Sequence, residues 1–432
     1  MSILFKNATL LLKQENGSYI DYKNSYLGID GIYIDYIGTT KPLKDYDEVK
    51  DYSNKIIMPG IVNSHTHTPM VFLRGLGAGL PLDKWLNDSI FPTEAKLTPR
   101  HIEVASYYAI LELLASGVTS FTDMYFYPEE TAQAVKDSGI KANLCKYINC
   151  FDDNDKLEDT LAYDSEKFFK QYHKTCDDRL HVDFSIHAEY TNKPHIVKAY
   201  SEMCKANGGR MHVHIAETRN EVINCVDKYG VSPIKWFEDL GTFESPTCAA
   251  HVVYPINDDL DIIKKHNVTV IHNPTSNLYL GSGFAPIKEM LDMGINVSLG
   301  TDGAASNNNL NMFEEMHICS ILFNGMHHDP LCLQDEDAIS MATINGYKMQ
   351  GRDDAGLIEI GKRADLIAVD LNRIHLYPVL DYPAIITKSA QSSDVCMTMV
   401  DGNILYENGE YKTLDKDKII FEFKQEVEKF FN

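Results

Sequence analysis

Eight short apolar runs, separated by longer amphipathic stretches, constrain the fold of this chain more than any other feature. They cover residues 60–67, 119–124, 141–148, 181–190, 210–218, 247–254, 267–274 and 295–303. Unbroken apolar runs suit parallel strands covered on both faces. Between them, residues 99–116, 128–138, 194–206 and 220–229 carry helical spacing. This alternation predicts a (β/α)8 TIM-like barrel, with working residues at the C-terminal strand ends. An open doubly wound sheet is the alternative; no GxGxxG follows an early strand, so a dinucleotide fold has no support.

The two chain ends have a different texture. Residues 2–12 and 25–37 read as short strands punctuated by Gly28 and Gly31, and similar segments return at 364–369 and 396–406. One small β-sandwich built from both ends is therefore expected, over 1–57 plus 364–418, with the catalytic barrel at 58–363. Ile420, Phe423, Val427 and Phe430 share one face of a helix, so a terminal helix over 419–432 should pack on the body. A length of 432 residues suffices for a large barrel with an appendage.

The formal charge of −22 opposes binding to nucleic acid, which needs clustered Lys and Arg, and to anionic membranes. No run approaches membrane-spanning length. Lys6 and Lys13 bracket too short an apolar stretch for a signal peptide. Nine cysteines, an odd number without CxxC, fit free thiols in a reducing compartment, and Cys145, Cys150 and Cys248 should be buried. A cytoplasmic protein is expected.

Polar residues gather where the runs end. In a strand, residues two apart face the same side, so His65 and His67 aim at one point. His187 ends run four, His214 and Glu217 run five, His251 run six and Asp302 run eight. In a barrel these ends surround one mouth. Imidazole and carboxylate suit a borderline divalent ion such as zinc, which can activate water near neutral pH. Each residue also has a plainer reading: a core histidine, a turn or cap at Asp302, the start of a solvated helix at Glu217. His212 shares the face of His214, but a fifth ligand exceeds the usual number, which leaves it as structural support. His272-Asn273-Pro274 fits a turn or a role behind the ligands better than ligation.

Three stretches, Pro59-Gly60-Ile61-Val62-Asn63-Ser64-His65-Thr66-His67, His214-Ile215-Ala216-Glu217-Thr218 and Leu299-Gly300-Thr301-Asp302-Gly303, resemble the amidohydrolase superfamily. Trp85 and residues 91–98, 272–277 and 361–366 extend the resemblance over nearly the whole chain. Within the superfamily it points to methylthioadenosine/S-adenosylhomocysteine deaminases and their chlorohydrolase relatives. The resemblance implies that His65, His67, His214 and Asp302 bind one divalent metal, Zn by default with Fe or Mn as alternatives. Glu217 would move protons to the substrate's ring nitrogen, and His251 would orient and polarise the attacking water. Many binuclear relatives carry a carbamylated lysine at the end of strand four. Ser185-Ile186-His187-Ala188-Glu189 stands there instead, and Lys193 does not match the position, which favours a single metal.

Deamination of an adenine ring is hydrolysis at C6, and N1 must gain a proton for the ring to accept electrons. Glu217 would supply it, while Asp302 would take the water proton and return it to the leaving amine. By the same resemblance Glu94 would accept hydrogen bonds from the ribose hydroxyls, Trp85 would pack on the sugar or 5′ substituent, His187 would meet a purine nitrogen, and Ser306 would help shape the site. The alternatives are a loop carboxylate beside Lys96, a loop-covering Trp and a supporting imidazole. Relatives that bind S-adenosylhomocysteine are expected to carry arginines near strand three for its carboxylate. Lys146 and Lys156 are the nearest positions here, point charges in place of a planar fork.

The expected activity is therefore metal-dependent hydrolytic deamination of adenosine-type nucleosides, with methylthioadenosine, 5′-deoxyadenosine or adenosine ahead of S-adenosylhomocysteine. A free nucleobase, triazine or other heterocycle is the alternative substrate class, and a non-catalytic scaffold the remote one. A homo-oligomer is compatible with the family.

Overall fold

The computed structural model describes residues 1–432. Its centre is a parallel sheet in which neighbours in space are neighbours in sequence. It runs from Ile61–His67 through Val118–Met124, Lys141–Ile148, Leu180–Ile186, Met211–Ile215, Thr247–His251 and Thr269–His272 to Val297–Leu299. These are barrel strands one to eight. Strand eight is broken. Val297–Leu299 pairs with strand seven, while Asp302–Gly303 pairs with Thr66 and His67 of strand one. That second pairing closes the sheet into a barrel and excludes the open doubly wound arrangement. Gly300 lies at the break, where a Cβ would stand 2.6 Å from Asn273 Oδ1 and 2.8 Å from the His65 backbone nitrogen. Only glycine fits so close an approach.

The strands are shorter than the apolar runs because the last residues of several runs turn away to form the mouth. Four non-glycine residues at these turns take left-handed backbone: Ala216 (φ 52°), His251 (φ 76°), Val252 (φ 46°) and Asp302 (φ 63°). Such conformations cost roughly 1–3 kcal/mol each and cluster at functional sites. Helices Pro99–Ala115, Pro128–Ser138 and Pro194–Ala206 each begin on a proline, whose missing N–H has no partner to lose in the first turn.

Strands from both chain ends build a second sheet. Ser2–Lys13, Tyr19–Asp30, Tyr33–Gly38, Glu48–Asp51 and Lys55–Pro59 join Leu366–Asp370, Val395–Val400, Asn403–Glu407 and Glu410–Tyr411. The two groups meet where Lys55–Pro59 runs antiparallel to Leu366–Asp370. Ile57 and Leu366 point into this sheet's own core with Phe5, Leu27 and Met397, whereas Ile56, Met58 and Ile367 face the barrel core. Alternation along a strand thus buries both faces. The terminal helix, Lys416–Phe431, docks on the barrel, with Phe423 stacked on Tyr108 at 4.0 Å and Phe430 5.3 Å from Phe72. No helix is long and apolar enough to cross a membrane, and all nine cysteines are free, Cys145, Cys150 and Cys248 among the buried ones.

Candidate active site

The strand ends bring His65, His67, His214, His251 and Asp302 together. The His65 ring lies 5.0 Å from His67, 4.9 Å from His214 and 5.7 Å from His251, centroid to centroid. Asp302 Oδ1 is 3.4 Å from His65 Nε2 and 3.2 Å from His67 Nε2. Each ring is anchored by its other nitrogen. His67 Nδ1–H donates to the Met124 carbonyl at 2.5 Å, His214 Nδ1–H to the His187 carbonyl at 2.7 Å, and His251 Nδ1–H to Asn277 Oδ1 at 2.9 Å. His65 Nδ1 meets His212 Nε2 at 2.9 Å, which gives His212 the supporting place expected of it.

Anchoring at Nδ1 leaves Nε2 free to ligate, the arrangement proteins use to aim imidazoles at a cation. His65 Nε2 is buried without a hydrogen-bond partner, a rare condition for a polar atom. Donor atoms of His65, His67 and Asp302 lie within 4.8 Å of one another, as do those of His65, His214 and His251. The buried orphan nitrogen and the mixed imidazole–carboxylate donors fit a divalent ion. Burial pushes His65 down to about 4 and His214 well below its ordinary value, so both are neutral with lone pairs available. In His67 burial opposes the charge, yet Asp302 and the Met124 carbonyl raise it to about 9, so a proton and a cation compete for it. Asp302 is gripped from behind: Ser276 and Ser306 donate hydroxyls to Oδ2 at 2.6 and 3.0 Å.

Glu217 hangs beside this cluster, with Oε2 3.8 Å from His251 Nε2 and Oε1 accepting the Ser282 hydroxyl at 3.2 Å. Burial raises its carboxyl to about 7. The turn that carries it is fixed by Glu221, which accepts the N–H groups of Ala216, Glu217 and Thr218 at 2.5, 2.7 and 3.3 Å. A cavity opens above. His187, His214, Glu217, His251 and Asp302 line it together with Trp85, Phe91, Glu94, Tyr125, Tyr147, Tyr190 and Leu280. This mixture of apolar walls and a few convergent polar groups is that of a small-molecule site.

A model of the amidohydrolase family matches residues 56–405. The chain belongs to the amidohydrolase family. It is 42% identical over 430 residues, 98% of each chain, to a protein of Acetivibrio thermocellus named 5-methylthioadenosine/S-adenosylhomocysteine deaminase. It is 38% identical over 398 residues, 92% of each chain, to a 5′-deoxyadenosine deaminase of Methanothermobacter thermautotrophicus. Among solved structures it resembles an adenosine deaminase from Xanthomonas campestris with bound zinc, at a TM-score of 0.92 and 26% identity, covering 99% of this chain and 98% of that one.

In this amidohydrolase the residues singled out from sequence fall into three groups. Glu94, Trp85 and His187 line the cavity. Glu94 Oε1 accepts the Tyr125 hydroxyl at 2.7 Å, and burial raises its carboxyl to about 7. Trp85 is tied back by its indole N–H, which donates to the Leu76 carbonyl at 3.1 Å. Ser306 lies behind Asp302 and bonds its carboxylate, so it shapes the site through Asp302 and is not itself among the residues that line the cavity for substrate. Lys146 and Lys156 correct an expectation. Tyr147 lines the cavity, so its strand neighbour Lys146 faces the helix layer, where it pairs with Glu129 at 2.9 Å. Lys156 is exposed beside Glu158, 3.7 Å away. His272 is a buried core residue 5.6 Å from Phe323, and Asn273 is the residue of that tripeptide that approaches His251, at 3.4 Å.

Other contributors went unnoticed in the sequence. Tyr125 sits one residue beyond strand two, where a polar aromatic is a recognisable signal. Glu221 had a sharper one, the Thr218-x-x-Glu221 capping box. Asn277 and Ser276 stand within the 272–277 motif, but nothing in their spacing assigned them to His251 and Asp302.

Proposed function

We propose that this amidohydrolase is a metal-dependent hydrolytic deaminase of adenosine-type nucleosides, converting the 6-amino purine to its 6-oxo, inosine-type product and releasing ammonia. The observation that carries the reading is one cavity holding a protonatable buried carboxyl, Glu217, beside a cluster of cation-ready imidazoles, with a second buried carboxyl, Glu94, in its wall. The named relatives deaminate nucleosides of this kind by name.

His65, His67, His214 and Asp302 would hold one ion per chain, most simply zinc, with iron or manganese as alternatives. Such an ion, when bound, makes water a competent nucleophile near neutral pH. The chain's own residues do the rest. His251, locked by Asn277, presents Nε2 to orient that water toward C6. Glu217, raised to about 7 by burial, is protonated over part of the neutral range and delivers its proton to N1. Asp302 has Oδ2 held by two serine hydroxyls; Oδ1, on the side of His65 and His67, accepts the water proton and passes it to the departing amine. Water adds, the C6–N bond breaks and ammonia leaves, while the proton remaining on the new C6 hydroxyl passes to the Glu217 carboxylate, which leaves a 6-oxo ring protonated at N1 and restores the acid. Glu94 receives the ribose 2′ and 3′ hydroxyls, whose donors complement a buried carboxylate. We also propose that the chain divides its work as the sequence suggests, barrel 58–363 for chemistry and 1–57 plus 364–418 as its support, in a cytoplasmic enzyme that is free to self-associate.

The test is ammonia release by zinc-loaded enzyme from adenosine, methylthioadenosine, 5′-deoxyadenosine, S-adenosylhomocysteine, guanine and cytosine. The nucleosides should be turned over, and Glu94→Ala should cripple that activity. Turnover of free bases alone, indifferent to Glu94→Ala, would replace this reading with a base deaminase.

A further inference from the structure

Strand four runs into the short turn Glu189–Thr191, and two residues there, His187 and Tyr190, line the cavity. Glu189 lies outside that lining. It is 2% exposed, and its Oε2 is buried with no hydrogen-bond donor. Its carboxyl is in hydrogen-bonding contact with that of Glu221, which is 7% exposed. Glu221 already accepts three N–H groups, from Ala216, Glu217 and Thr218. Those bonds hold Ala216 in left-handed backbone one residue ahead of Glu217. Such a conformation persists only where its surroundings over-determine it. No lysine or arginine completes the carboxyl pair; Lys193, four residues beyond Glu189, turns to Asp153 at 2.9 Å. Besides Glu217, the titratable side chains near the two carboxyls are Tyr190 and Cys225. Burial raises both, Cys225 to about 12, so neither brings a charge.

Two carboxylates cannot keep both charges in one buried contact, and a buried oxygen that meets no donor is costly unless it carries a proton of its own. The three N–H groups favour the charge on Glu221, while burial and that charge push Glu189 well above the ordinary glutamate range. We propose that Glu189 is a positioning residue: its carboxyl O–H donates to the Glu221 carboxylate and so fixes the turn that presents Glu217 to the substrate. The effect on turnover rests on the deaminase reading; the shared proton does not. One proton thereby ties the strand-four turn, which carries His187 and Tyr190 in the cavity wall, to the strand-five turn that carries the acid. Any neutral donor of the right length serves this purpose, and an apolar side chain does not.

The experiment compares zinc-loaded wild type with Glu189→Gln, whose amide N–H still donates, and Glu189→Met, which keeps the length without a donor. On adenosine and methylthioadenosine, Glu189→Met should lose about tenfold or more in kcat with KM changed by less than about threefold, at equal metal content. Glu189→Gln should stay within about threefold of wild type. Infrared difference spectra at about pH 8, wild type minus either variant, should show the C=O stretch of a protonated carboxyl. Absence of that band overturns the shared proton, whatever the substrate. A kcat of Glu189→Met equal to wild type, or a Glu189→Gln enzyme that falls as far as Glu189→Met, overturns the positioning role. If the band is present and wild type deaminates neither nucleoside, the deaminase reading fails and the carboxyl pair stands without it.

Discussion

The two ends of the barrel both bury charge, and they treat it in opposite ways. At the N-terminal end Lys141 is wholly buried between Asp365 at 2.5 Å and Asp401 at 2.7 Å, and Arg363 adds a contact to Asp401 at 3.1 Å. Each carboxylate there has a cation, and the ion pairs tie strand three to the sheet built from the chain ends. At the C-terminal mouth Asp302, Glu217 and Glu94 are equally buried, yet imidazoles and hydroxyls are their partners and no lysine or arginine lines the cavity. A buried charge whose partner is built in fastens the fold; one without such a partner is neutralised by a proton or held for a ligand. The same barrel thus keeps stability at one end and reactivity at the other.

Glu217→Gln should produce the largest effect that separates the two ends. Turnover should fall by about 10²–10⁴-fold while metal content is retained and thermal stability is unchanged or raised. Ammonia release and metal analysis on the same sample check it; unchanged turnover would refute the role of Glu217. Lys141→Met should do the reverse. Leaving Asp365 and Asp401 uncompensated should cost about 3–5 kcal/mol in urea unfolding, with kcat/KM of the folded fraction near wild type. Loss of activity at undiminished stability would break the comparison.

Smaller changes sharpen it. Ser276→Ala frees Asp302 Oδ2 from its 2.6 Å hydrogen bond and should weaken metal affinity about 10–100-fold in a chelator competition, with little change in the stability of the metal-free protein. Acidity supplies the finest test. Burial raises Glu217 to about 7 and Glu315 to about 8, above the ordinary glutamate value near 4.5. The folded protein therefore holds protons that the unfolded chain has released, and the stability this contributes is complete below about 4.5 and lost as pH climbs through 7 to 8. The urea midpoint of metal-free protein should fall between pH 5 and 8, and Glu315→Gln should flatten the upper part of that fall. Turnover should likewise decline above about pH 7 as Glu217 loses its proton, and an activity still rising at pH 9 would contradict its role as acid.

Much of this division was legible before any coordinates. A run of buried strands announces itself by unbroken apolar character, and the polar residues that follow each run had to meet once the strands closed. His65, His67, His214, His251 and Asp302 were therefore found from position alone. The broken eighth strand was not, because Gly300 is needed for its distance to Asn273 and His65, and no local pattern encodes a long-range approach. Lys146 was misread although strand alternation could have corrected it, since Tyr147 and Lys146 cannot both face the cavity. The bond from Tyr125 to Glu94 joins a strand end to the distant short helix Phe91–Glu94, and only the fold brings them within reach.

The central claim is that His65, His67, His214 and Asp302 grip one cation at the mouth. An anomalous difference map at the zinc edge, from crystals grown with zinc, tests it most directly. A single peak should lie among the Nε2 atoms of the three histidines and the Asp302 carboxylate, and it should vanish in His214→Ala. No peak there, or a pair of peaks sharing the site, would contradict the account.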